Sequence, residues 1–197
     1  MNGSICKKWS ELSIEDDFYI PLTVNRKAIL SFFLCAQGID LEKLPYNFFQ
    51  PFLYFKKNTD IKPDTKIEKV NLCDIVGTSY RDYSNDNGII YSFLHLKRAE
   101  RYILSGDTKR TKYFYHMKRI NDNMVKLSQI QDGKYYVDGN GNHRVIMYKM
   151  MMLSEIAKEN PWVYEEDYDL NFIDFTDITH KYWLYAEVKH LTESGIE

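Results

Sequence analysis

The chain has 197 residues, is 44% hydrophobic and carries a formal net charge of −2, enough apolar material for one substantial core plus an accessory segment. Its most apolar early run, AILSFFLCAQGI, is too short to span a bilayer, and the first residues lack the order of a signal peptide, so a cytoplasmic protein with no membrane partner is expected. Cys6, Cys35 and Cys73 show neither C-x-x-C spacing nor a nearby histidine pair, which argues against a disulfide framework or a zinc site and predicts buried thiols.

Residues 1–60 read as helical and aromatic-rich. Thr23 or Asn25 caps a helix running through RKAILSFFLCAQ to Gly38, and a second apolar stretch, NFFQPFLYF, is broken at Pro51. The polar segment KKNTDIKPDTK is the boundary, dividing this helical N-terminal segment from a domain at 66–191. KIEKVNLCDIV then alternates roughly as one half-buried strand does. It leads into GTSYRDYSNDNG, a loop dense in turn formers. Two helices are predicted next: Phe93, Leu96, Ala99 and Ile103 share one face of the first, and Tyr113, Met117, Ile120 and Met124 one face of the second. GKYYV is a short strand. HRVIMYKMMMLSEIAKE is a helix stopped at Asn160-Pro161, apolar on nearly every side from Val145 to Leu153 with Lys149 its lone charge, hence buried. YWLYAEVKHL closes the domain as a last strand. The sum is an α+β fold with a small mixed sheet.

The near-neutral total conceals a division. Residues 97–120 hold eight basic side chains against two acidic ones, and 150–179 hold eight acids against one base. A basic half suits a phosphate-bearing partner, and Lys109, Arg110, Lys112, Lys118 and Arg119 are the candidate nucleic-acid contacts. Taken alone, each charge run reads first as an ordinary solvated face. His95, His116, His180 and His190 have no partner at metal-ligand spacing and read as structural or solvent-facing.

The chemistry concentrates in KYYVDGNGNHRV, where a strand hands over to the buried helix. The first turn of a helix presents N–H groups without intrahelical partners and the positive end of the helix dipole, so it attracts anions. Gly139 and Gly141 let a phosphate approach and permit left-handed backbone angles. Asn140 tolerates the same angles, and Asn142 is placed to cap the helix. Arg144 can grip two phosphate oxygens, and His143 can move a proton near neutral pH. Read without chemistry, D-G-N-G is simply a tight turn.

VDGNGNHRV resembles the strand, D-G-x-H-R type turn and helix of the ParB/sulfiredoxin-like superfamily, in its ParB-like nuclease form. Upstream KVNLCDIVGTSYRDYS resembles that family's opening strand, and YAEVKHL its closing strand, so the resemblance spans 66–191. It implies a small mixed sheet with helices whose turn holds phosphate through Gly139, Asn140, Gly141 and Asn142, with Gly77, Thr78 and Arg81 approaching from the other loop. Asn142 stands where sulfiredoxins carry cysteine, which argues against sulfinic acid reduction. The leading expectation is a nuclease-like phosphodiester hydrolase acting on DNA or RNA, with His143, Arg144 and Asp138 catalytic and Asp138 with Asp74 holding Mg2+ or Mn2+. A nucleotide-binding domain, a CTPase, ATPase or small-molecule kinase using a nucleoside triphosphate, is the alternative. The third is a non-catalytic anti-defence protein of a phage or plasmid, anti-CRISPR-like, that binds a nucleoprotein complex or causes guide RNA cleavage.

Overall fold

The computed structural model describes residues 51–56, 63–86, 88–96, 116–129, 133–159 and 176–191. In chain order these form β1 (Leu53–Tyr54), β2 (Asp64–Asn71), a 3-10 turn (Leu72–Asp74), β3 (Ile75–Thr78), a second 3-10 turn (Arg81–Tyr83) and α1 (Ile89–Leu94). They continue with β4 (Val125–Gln129), β5 (Tyr135–Val137), α2 (Asn142–Glu159), α3 (Thr176–Thr179) and β6 (Trp183–His190). The architecture is mixed α+β.

One six-stranded sheet has the order β1-β3-β5-β4-β6-β2. The neighbours β1 and β3, β3 and β5, and β4 and β6 are parallel, whereas β4 with β5 and β2 with β6 are antiparallel. Strict alternation in WLYAEVKH sends Leu184, Ala186 and Val188 into the interior, each fully buried. Val125, Leu127 and Val137 join them on that face, and α2 covers it with Val145, Ile146, Met147 and Met150, all at most 1% exposed. Each of these side chains larger than alanine contributes about 1.5–3 kcal/mol through removal from water. The methionine run is thus core filling, as its composition suggests. α1 packs on α2 through its own buried Ile89 and Phe93.

Four expectations are corrected. The single strand expected over KIEKVNLCDIV is two strands, because the Asn71 side chain accepts from Cys73 N (2.9 Å) and caps a 3-10 turn that redirects the chain. β2 then lies at one edge of the sheet and β3 near the other. The helix expected through Met124 stops after Met117: Asn121 Nδ2 donates to the carbonyls of His116 (3.0 Å) and Arg119 (2.8 Å), and its Oδ1 accepts from Asn123 N (2.8 Å). Ile120 is 61% exposed as a result. Within the segment expected to be helical, Leu53 and Tyr54 instead pair with Gly77 and Thr78, so the sheet begins before residue 60. Cys73, expected to be a buried thiol, is exposed as a residue, although its Sγ turns inward to within 3.6 Å of Met152 Sδ. All of 1–50, Cys6 and Cys35 included, and all of 97–115 lie outside the described residues.

No helix among the described residues is long and apolar enough to cross a membrane.

Candidate functional site

β3 and β5 are parallel neighbours, and Thr78 sits opposite Val137, so the chain leaves both strands at one end of the sheet. α2 starts there too. Ser79 N donates to Val137 O (2.9 Å), and the buried Thr78 hydroxyl donates to the same carbonyl (3.2 Å) while accepting from Tyr80 N (3.1 Å). These bonds lock the first loop, GTSYRDY, against the glycine turn. Gly77 has a packing reason to lack a side chain, since a Cβ there would stand 2.2 Å from Leu53 O and 2.8 Å from the Tyr136 ring.

Asp138 is only 7% exposed. Its Oδ1 accepts from Ser79 Oγ (3.2 Å), and its Oδ2 accepts from Ser128 Oγ (3.0 Å) and Lys189 Nζ (3.4 Å). A buried carboxylate with these partners ties together the exit of β3 with β4, β5 and β6. Asp74, its expected metal partner, precedes the start of β3, whereas Asp138 follows the end of β5. With about 3.3 Å of rise per strand residue, the two carboxylates sit roughly a strand length apart at opposite ends of the sheet and do not form a pair. Among the described residues, no three His, Cys, Asp or Glu side chains gather as a metal site.

The glycines of the turn carry positive φ, 122° at Gly139 and 135° at Gly141. A Cβ at Gly141 would meet Val125 Cγ1 at 2.7 Å, so the backbone must pass β4 closely whatever it binds. Asn140 O accepts from Lys126 N (2.9 Å), and Asn140 Nδ2 donates to Asn123 Oδ1 (2.6 Å). Gly141 supplies the cap position, its carbonyl accepting from Val145 N (2.9 Å). Asn142, expected as the cap, is instead the first helical residue; it is 5% exposed, and its Oδ1 is buried without a hydrogen-bond partner.

The N–H groups of Asn142, His143 and Arg144 precede the intrahelical ladder and sit at the positive end of an 18-residue helix. His143 is half-buried, and its Nε2 lies 3.2 Å from the Tyr83 hydroxyl, the two rings meeting edge-on at 5.4 Å. Arg144 Nη1 donates to Asn123 O, which fixes the guanidinium against the turn before β4. Arg81 is exposed on the same 3-10 turn as Tyr83, 5.1 Å from the Tyr54 ring centroid.

The structure therefore brings Gly77, Thr78, Asp138, Gly139, Asn140, Gly141, Asn142, His143 and Arg144 to one end of the sheet, with Arg81 on the adjoining turn. Of the basic candidates, Lys118 and Arg119 lie among the described residues. Lys118 Nζ donates to Lys181 O (2.7 Å) and stands 5.1 Å from the Trp183 ring, with Lys69 at 4.3 Å from the same ring. Burial, and secondarily Lys69, lowers the Lys118 pKa. Arg119 is exposed, and Lys109, Arg110 and Lys112 lie outside the described residues.

Sequence reasoning missed Tyr83, Ser79, Ser128, Lys189 and Asn123. Tyr83 and Ser79 were visible only as members of a loop dense in turn formers, and Ser128 and Lys189 are joined to Asp138 solely by strand register. Compared with protein-family models, curated proteins and solved structures, the chain finds no match in any of the three.

Proposed function

We propose that the protein binds a phosphate at the N-terminal turn of α2 and acts as a nuclease-like phosphodiester hydrolase on DNA or RNA, with His143 as its proton-transfer group. The observation that carries this reading is the Tyr83 hydroxyl 3.2 Å from His143 Nε2, at the point where two strand ends and a helix N-terminus converge. The resemblance of VDGNGNHRV to ParB-like nucleases supplies the substrate class. In this scheme the first-turn amides cradle a non-bridging oxygen, a water attacks phosphorus and releases its proton to solvent, and the P–O bond to the leaving oxygen breaks as protonated His143, its ring oriented by Tyr83, gives that oxygen a proton. Arg144, one nitrogen anchored on Asn123, and Arg81 offer positive charge to the phosphoryl group. Asp138 acts as a positioning residue through Ser79 and Lys189.

A nucleotide-binding domain is the second reading, and one observation favours it. Asp138 is bonded by Ser79, Ser128 and Lys189, and Arg144 by Asn123, which leaves fewer groups for bond breaking than for binding.

The test incubates pure protein with plasmid DNA, a single-stranded oligonucleotide and structured RNA, each with and without Mg2+ or Mn2+. Cleavage is expected, with His143→Ala slower by about a hundredfold or more and Tyr83→Phe shifting the pH profile. Failure of the wild-type protein to cut any substrate in any arm refutes the hydrolase. Calorimetric titration with each nucleoside triphosphate then decides the second reading.

A further inference from the structure

Lys149 lies six residues beyond His143, about 9 Å farther along the axis of α2, and it lines a separate cavity. Cys73 from the first 3-10 turn borders the same space, whose walls include Phe52, Ile75, Ile89 and Met152. Its volume is about 80 Å³. Since a 150 Å³ cavity admits benzene, this one has room for roughly three to five non-hydrogen atoms.

A desolvated ammonium is costly unless a partner compensates it. Among the described residues, no acceptor bonds to Lys149 Nζ, and Asp74 and Cys73 act on it only through space. Neither completes the site: Asp74 is exposed on its turn, and burial raises the Cys73 pKa, which keeps the thiol neutral. Burial pushes the Lys149 pKa down to about 8, so the side chain is still mainly cationic at neutral pH. A phosphate dianion fits poorly here, because one ammonium and one thiol give it too few donors and the walls give its other oxygens none. A monoanion with a short alkyl tail matches both features at once.

We infer that this cavity is a binding site for a short-chain monocarboxylate, its carboxylate on Lys149 Nζ and its tail against Phe52, Ile75, Ile89 and Met152. The site is distinct from the helix N-terminus and stands whether or not that turn binds phosphate.

The experiment titrates the full chain with acetate, propionate, butyrate and hexanoate by ligand-observed NMR, at constant ionic strength set with chloride. Saturable binding that peaks at acetate or propionate, and weakens by about tenfold or more in Lys149→Met, supports the inference. Absence of binding, equal binding by the variant, or affinity higher for butyrate or hexanoate than for propionate overturns it. Should the variant not fold, the wild-type protein decides: with 13C-labelled lysine, saturating propionate raises the Lys149 pKa if the carboxylate sits on the ammonium, and an unmoved pKa refutes it.

Discussion

Replacing Lys149 by methionine is expected to stabilise the protein, against the usual direction of a core substitution. The lysine pKa falls from 10.5 to about 8 on folding because burial disfavours the charged form. At about 1.4 kcal/mol per unit, the folded state bears a penalty of roughly 3 kcal/mol at pH 7, reduced to about 2 kcal/mol for the water still reaching this part-exposed side chain. Methionine keeps a similar length and removes the charge, so Lys149→Met should raise the unfolding temperature by about 4–8 °C at pH 7. The sign fixes the pH window. Below pH 8 the lysine is protonated in both states and the penalty is complete. Between 8 and 10.5 the folded protein releases its proton first, the unfolded chain holds more protons, and wild-type stability rises relative to the variant. Cys73 and Tyr148, whose pKa values burial raises, work in the opposite sense at alkaline pH, but they are common to both proteins. Urea unfolding of both at pH 7, 8, 9 and 10 measures the difference directly. A variant less stable than wild type at pH 7, or a gap that does not narrow from pH 8 to 10, would refute the reasoning.

Gly141→Ala places a Cβ 2.7 Å from Val125 Cγ1 at a φ of 135°, and should cost about 2–4 kcal/mol in urea unfolding. Adding Val125→Ala relieves the clash but not the backbone strain, so the double variant should recover only part of the loss relative to Val125→Ala alone; no loss in the single variant contradicts the packing account. Asp138→Asn halves the acceptors offered to Ser79, Ser128 and Lys189 and should destabilise by about 2–3 kcal/mol at pH 7, as read by the same assay. A variant of wild-type stability would return Asp138 to the list of candidate reacting groups.

Sequence patterning served best where one period ran uninterrupted. β6 was legible because WLYAEVKH opens as an aromatic and apolar run of strand length, and α2 because neither glycine nor proline intervenes between Asn142 and Glu159. β4 escaped notice because VKLSQ is short and its Ser128 is buried by Asp138, a partner ten residues away, so polarity there misreported burial. The helix expected around Met117 failed at Asn121, whose side chain captures two carbonyls that a further turn would need. The candidate site was legible as a cluster, since the two quoted motifs do meet at one sheet end. Its internal economy was not. That Gly77 and Gly141 answer to Leu53 and Val125, or that Arg144 is held by Asn123, depends on contacts between segments for which no local pattern exists.

The antiparallel ladder of β2 and β6 joins Asp64 to His190 and Asn71 to Trp183, residues more than a hundred positions apart. A ribosome must deliver nearly all of this domain before β2 can find its mate, while β3 and β5 wait on a shorter loop. Assembly is therefore weighted toward the end of synthesis, and premature release upstream of Trp183 would strand β2 without the ladder that holds it.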